Sequence, residues 1–115
     1  PQGWVERLKR RVTAYPEALR RAVVRDYLFM AVFTLGTFAP KSATRADAAG
    51  TAACLARGVN ELVMALFALN RAYLLNERTA LEELAGFALT PREFGPRVQA
   101  VFARLGRSPA ELAAA

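Results

Sequence analysis

The 115 residues, 54% hydrophobic and 23% charged, provide for one modest hydrophobic core and exclude a disordered tail or a solvated linker. With no histidine and one cysteine, Cys54, the chain excludes imidazole acid–base chemistry, Ser-His and Cys-His triads, His-containing metal sites and an internal disulfide, and a reducing cytoplasmic compartment is expected. A net charge of +6, carried by 14 arginines and two lysines against ten acids, favours acidic partners such as nucleotides, nucleic acid or an acidic neighbouring domain.

The chain opens at Pro1 without a methionine and reads as a piece of something longer. A first amphipathic segment covers residues 4–14, with Trp4, Val5, Leu8 and Val12 on one stripe and Arg7, Lys9, Arg10 and Arg11 around the rest. It resembles no signal peptide. Tyr15-Pro16 interrupts it, and Pro16 suits the first residue of a second helix. That helix is expected to reach about residue 38, through Leu19, Val23, Tyr27, Met30, Ala31 and Leu35, and to close at Ala39-Pro40. Its most apolar run, residues 27–39, is shorter than the roughly 20 residues a spanning helix needs. The run reads as a buried helix of a soluble domain, and no segment is expected to cross a membrane.

Thr44-Arg45-Ala46-Asp47 has the form of a capping box and opens the longest helical pattern, residues 45–76, about 48 Å long at about 1.5 Å per residue. Gly50 and Gly58 weaken it or admit a close neighbour. Residues 62–69 are apolar at every position, so this stretch is expected to be covered on all sides. Three more boxes, Thr79-Ala80-Leu81-Glu82, Thr90-Pro91-Arg92-Glu93 and Ser108-Pro109-Ala110-Glu111, begin a short helix to residue 87, an amphipathic helix over 91–105 and a terminal turn. No alternating strand pattern occurs. The expected fold is all-α: one domain over residues 1–115, a helical bundle of five to six helices around one long central helix.

Few residues offer chemistry. Asn70 lies in apolar sequence, and a buried amide must find partners; it either fixes helix packing or faces a ligand. Arg71, Glu77 and Arg78 either pair on the surface or line a polar cleft for phosphate or a sugar. Tyr73 suits a core aromatic whose hydroxyl reaches the rim. Asp47, beside Arg45 at the head of the long helix, serves as a cap favoured by the helix dipole or as an acid facing a neighbouring active site. Arg57 and Glu61 read as an ordinary i,i+4 pair, Arg20, Arg21 and Arg25 as a solvated edge, and Cys54 as an inert buried thiol. There is no Gly-rich phosphate loop, no dinucleotide fingerprint and no pair of Glu-x-x-His motifs for a di-iron bundle.

The order of these blocks is familiar. Arg45-x-Asp47 opening a long helix, then Leu66-Phe67-Ala68-Leu69-Asn70-Arg71-Ala72-Tyr73 and Asn76-Glu77-Arg78, follow Tyr15-Pro16-x-x-Leu19 and precede a proline-started segment at Pro91. This resembles the α-helical C-terminal domain that stands behind a polymerase-β-like nucleotidyltransferase domain in bacterial proteins, relatives of antibiotic adenylyltransferases and of nucleotidyltransferase/HEPN pairs. The resemblance spans residues 15–105 and is sharpest at Leu-Phe-x-Leu-Asn-Arg-x-Tyr. It implies a substrate-binding, architectural lobe, with Asp47 as the acid nearest catalysis and Arg45, Asn70, Arg71, Tyr73, Glu77 and Arg78 toward substrate. Arg78 stands where lysine is expected, which keeps the charge but not its geometry.

The Gly-Ser and paired-Asp motif of such transferases is absent, since Asp26 and Asp47 are the only aspartates. The chain is therefore not a complete enzyme by itself. Mg2+ and NTP are expected in an N-terminal nucleotidyltransferase domain, with no cofactor in this chain. The implied partners are that domain, a nucleotide or small-molecule acceptor, and a second copy in a homodimer; no membrane partner is expected. HEPN ribonuclease activity needs an Arg and a His on the helix, and there is no histidine. The alternative is a free-standing helical ligand-binding or dimerisation domain, as in a bacterial transcriptional regulator. Nucleic acid is disfavoured, because no aromatic platform interleaves the arginines.

Overall fold

The computed structural model describes residues 2–115. It is an all-α helical bundle, with no strand among the described residues. Helix α1 (Gln2–Thr13) is followed by α2 (Glu17–Phe33), a π-helical turn (Thr34–Phe38), α3 (Ala39–Thr44) and the long α4 (Ala48–Leu69). A 3-10 turn (Glu77–Thr79) leads into α5 (Ala80–Ala85), α6 (Phe94–Ala103) and α7 (Pro109–Ala114).

Pro40 does not close the second helix as expected. Helix α2, the π turn and α3 run on as one 28-residue stretch, Glu17–Thr44. A proline inside an α-helix lacks one amide donor, and its ring collides with the carbonyl four residues back. Here that carbonyl belongs to Gly36, inside the widened turn immediately before Pro40, and a π turn relieves such a collision at the cost of one misaligned bond.

The return is made by residues 45–47. The amides of Arg45 and Asp47 both donate to the Ser42 carbonyl, at 3.2 and 3.1 Å, and Ala46 adopts a left-handed φ of 55°. The N-cap of α4 is Asp47, not Thr44: its Oδ1 accepts from the Gly50 amide at 2.8 Å. A Cβ at Gly50 would collide with that carboxylate, and one at Gly58 with the Leu35 side chain of the neighbouring stretch. Gly58 thus leaves room for the Leu35 side chain against α4.

Helix α4 stops at Leu69, short of the expected residue 76. Arg71 takes a left-handed φ of 55°, its amide donates to Ala68 O at 3.0 Å, and the Ala72 amide donates to Phe67 O at 2.9 Å. Those two bonds form a Schellman motif, with arginine where glycine is usual. The core lies just below, where Val63 and Phe67 of α4 meet Ala80 and Leu84 of α5, and Phe67 and Phe87 pack edge to face at 5.1 Å. Helix α6 starts at Phe94 rather than Pro91, because Glu93 has a left-handed φ of 55°. The box at Thr90 therefore does not form, and its buried Oγ1 has no partner. At Ser108 the cap forms: Ser108 Oγ accepts from the Glu111 amide at 3.2 Å, while Glu111 accepts from the Arg107 amide at 2.7 Å.

Two burial expectations are corrected. The run over residues 27–39 is not covered, since Leu28, Phe29, Val32 and Phe33 are 42–66% exposed. Helix α4 is the main element packed along this helix, so Ala31 and Thr34 are buried and the face bearing Phe29, Val32 and Phe33 stays bare. Within 62–69, only Val63, Ala65, Phe67 and Ala68 are buried; Leu62, Met64, Leu66 and Leu69 are half-buried. Glu17–Thr44 and Ala48–Leu69 are also long and apolar enough to cross a membrane by length and composition alone, a test that the core helix of a soluble protein passes as well. The uninterrupted passage through Pro40 supplies the missing length in the first.

Candidate functional site

The helix that continues past Pro40 places Lys41 and Arg45 four residues apart on one face of the α3 end, with Ser42 between them. Across from them α4 brings Cys54 and Arg57, three residues apart, and the π turn brings Thr34 and Phe38. These seven residues line an open cleft of about 380 Å³. Among the described residues neither Lys41 nor Arg45 forms an ion pair. Cys54 is not the deeply buried thiol expected but a half-buried member of this basic wall.

Arg57 is held from behind. Its Nε donates to Glu61 Oε1 at 3.0 Å, and Thr34 Oγ1 donates to Oε1 and Oε2 at 3.2 and 3.1 Å. The Glu61 side chain is 9% exposed, whereas that of Arg57 is 61% exposed. More than an ordinary surface pair, this is a buried carboxylate bridging the π turn to α4 and aiming a guanidinium at solvent. Such an arrangement holds a planar bidentate donor ready for an anion. The sequence reading missed Thr34, Lys41, Ser42 and Glu61 as members of a site. The Lys41/Arg45 spacing was visible, but a helix ended at Pro40 hides it.

The other site candidates sit at the far end of α4. Its 22 residues span about 33 Å, so Arg45 and Asp47 are not brought together with Asn70, Arg71 and Tyr73. Asn70 Nδ2 donates to the carbonyls of Leu66 and Leu89 at 2.8 and 2.9 Å, and its Oδ1 accepts from the Leu89 amide at 2.8 Å. Arg71 pairs with Glu17 of α2 at 3.4 Å, not with Glu77. Arg20, far from being a free edge, donates from Nε to the Leu69 carbonyl at 3.2 Å and pairs with Glu17 at 3.0 Å. Desolvation would raise the Glu17 carboxyl, but the Arg20 hydrogen bond and the charges of Arg20, Arg71 and Arg21 outweigh it and hold the group below its usual value. Tyr73 stacks on buried Tyr15 with ring centroids 4.6 Å apart; burial first, then the Tyr73 hydroxyl, pushes the Tyr15 phenol up. Glu77 and Arg78 are exposed on the 3-10 turn, which Asn76 Oδ1 caps by accepting from the Arg78 amide at 3.0 Å.

A family model for a domain of unknown function, DUF4037, matches residues 1–76. The chain belongs to the DUF4037 family. No curated protein and no solved structure matches it. The DUF4037 region runs from α1 through the Schellman turn, so it contains the whole basic cleft but neither α5 nor α6. Among the described residues no three His, Cys, Asp or Glu side chains group together.

Proposed function

We propose that this DUF4037 chain is the substrate-binding and architectural helical domain of a nucleotidyltransferase-like protein. Its basic cleft would hold the phosphates of a nucleotide or of a phosphate-bearing acceptor against a partner domain. The observation that carries this reading is the continuity of the cleft with the bare aromatic face. Phe38 lines the cleft and also packs edge to face on Phe33, 5.1 Å away, which stacks with Phe29 at 6.2 Å. An exposed apolar patch bordered by unpaired cations suits a domain interface with an anion bound at its edge. Lys41 and Arg45 supply the free charge, and Arg57 supplies a fixed fork. Asp47 lies at the same end, adjoining the cleft rather than in its wall.

The test is made on the intact source polypeptide. Its reading frame upstream of Pro1 should encode a Gly-Ser and paired-aspartate segment. In that protein, Lys41→Glu with Arg45→Glu should lower nucleotide transfer at least 10-fold through weaker binding of nucleotide or acceptor, with the fold retained. A polypeptide lacking the segment, or unchanged transfer by the double variant, would overturn the proposal.

A further inference from the structure

Helix α6 is anchored at its ends and not along its length. Phe94 in its first turn packs on the Val63–Phe67–Ala80–Leu84 core. Beyond its last turn, α7 docks on α3 through Leu112, which is 3% exposed. Between these anchors α6 lies over the groove between α2 and α4 without packing closely on either, leaving an open apolar chamber of about 510 Å³. The floor is one stripe of α4, Leu55, Val59, Leu62 and Leu66, all only half-buried. This stripe is the reason that the all-apolar stretch of α4 is not covered on every side. The roof is Val98 and Val101, and the one ionisable side chain on the lining is Arg97, which is exposed and forms no ion pair among the described residues.

We propose that this chamber is a binding site for an amphiphile with an aliphatic body and a single anionic head, a medium-chain carboxylate being the simplest form. The body lies along the α4 stripe, and the head meets the Arg97 guanidinium. Three features select this class. The volume is within the roughly 300–1,000 Å³ of small-molecule pockets. The lining is almost wholly aliphatic, so it offers dispersion contacts and no hydrogen bonds to a polar body. The one charged side chain of the lining is a cation, Arg97, which favours a carboxylate over an ammonium or a neutral head. The site is separate from the basic cleft, and its fate does not depend on the nucleotidyltransferase reading.

The experiment is calorimetric titration of the chain with octanoate, decanoate and dodecanoate below their micelle concentrations, with decanol as the neutral control. Each added methylene should tighten binding about 4-fold, equivalent to about 0.8 kcal/mol, until the chamber is full. Arg97→Gln should weaken decanoate about 3- to 10-fold and leave decanol unchanged. Val98→Trp from the roof and Leu66→Trp from the floor should each abolish binding of both, with melting curves identifying whichever variant stays folded. Absence of saturable binding, or binding untouched by a folded tryptophan variant, overturns the proposal. Equal loss of decanoate and decanol in Arg97→Gln overturns the anionic head. A concentration-dependent dimer that decanoate cannot dissociate, with Leu66 at its interface, would make a second copy the occupant and would also overturn it.

Discussion

Thr34→Val isolates the bond that joins the π turn to α4. Thr34 is 1% exposed, and its hydroxyl reaches both oxygens of Glu61 at 3.1–3.2 Å. Valine has nearly the same shape, so the change removes a donor without opening a cavity. A hydrogen bond to a charged group contributes about 1.5–3 kcal/mol. After the substitution Glu61 keeps only Arg57, whose own side chain is 61% exposed and therefore offers a weakened, solvent-screened interaction. A loss of about 2 kcal/mol is expected, which in a domain of this size lowers Tm by about 8 °C at about 4 °C per kcal/mol.

Urea unfolding followed by far-UV circular dichroism should show the midpoint falling with its slope unchanged. Combining Thr34→Val with Glu61→Leu removes the buried charge together with its donor, and it should recover most of the loss, because an apolar pair of similar volume often replaces a buried polar one at little cost. A Thr34→Val variant within about 0.5 kcal/mol of the parent, the range of an inconsequential surface change, would refute the reasoning. So would a double variant that loses the sum of the two single changes.

Asp47→Ala removes the α4 N-cap and should cost about 1 kcal/mol in urea unfolding; if Asp47 also acts as an acid at the domain interface, turnover of the intact protein should fall by more than that instability explains. Asn70→Ala cuts all three bonds to Leu66 and Leu89 and should cost about 2–3 kcal/mol, with loss of hydrogen-exchange protection at the Leu89 amide. Arg71→Gly relieves a left-handed residue at the helix end, worth about 1 kcal/mol, against an exposed pair with Glu17 worth about 0–1 kcal/mol, so Tm should hold or rise by a few degrees. Because the Glu17 carboxyl is held below its ordinary value of 4.5, its contribution is complete above that pH and disappears as pH falls through the lowered folded value. Glu17→Gln should therefore flatten the fall of Tm at and below about pH 4.5, and an unchanged acid limb would show that the arginine cluster is not coupled to folding.

The helices were legible where amphipathic stripes and turn residues agreed, as at Tyr15-Pro16 and Ser108. They were misread where one local rule met a tertiary compensation. Pro40 signals a stop because of its ring and missing donor, and nothing in the residues 34–38 announces the wider turn that accommodates it. The far end of α4 has the reverse fault. The pattern runs on to residue 76, but Asn70 and Arg71 terminate the helix through bonds to Leu89 and Glu17, partners 19 and 54 residues away in sequence. Glu61 carried no signal of its burial, because an i,i+4 Arg–Glu pair looks the same on a solvated face as beside a buried threonine.

These misreadings bear on where function resides. The block most easily recognised in the sequence, Asn70-Arg71-Ala72-Tyr73, is engaged in ending α4: an amide bonded on both edges, a left-handed arginine, a Schellman bond to Ala72, and a tyrosine stacked on Tyr15. For Asn70 to contact a ligand, the loop carrying Leu89 would first have to move and leave a backbone amide and carbonyl unpaired, each costing about 1–3 kcal/mol. No comparable cost attaches to Lys41 and Arg45, which are exposed and free of ion pairs among the described residues. On the proposed reading, an anion would therefore gain most at the end of α4 that the π turn builds, about 33 Å from the recognisable block. Charge-reversal at Lys41 and Arg45 should accordingly cost anion affinity that Asn70→Ala leaves intact, and the opposite ranking would return the site to the Asn-Arg-x-Tyr end.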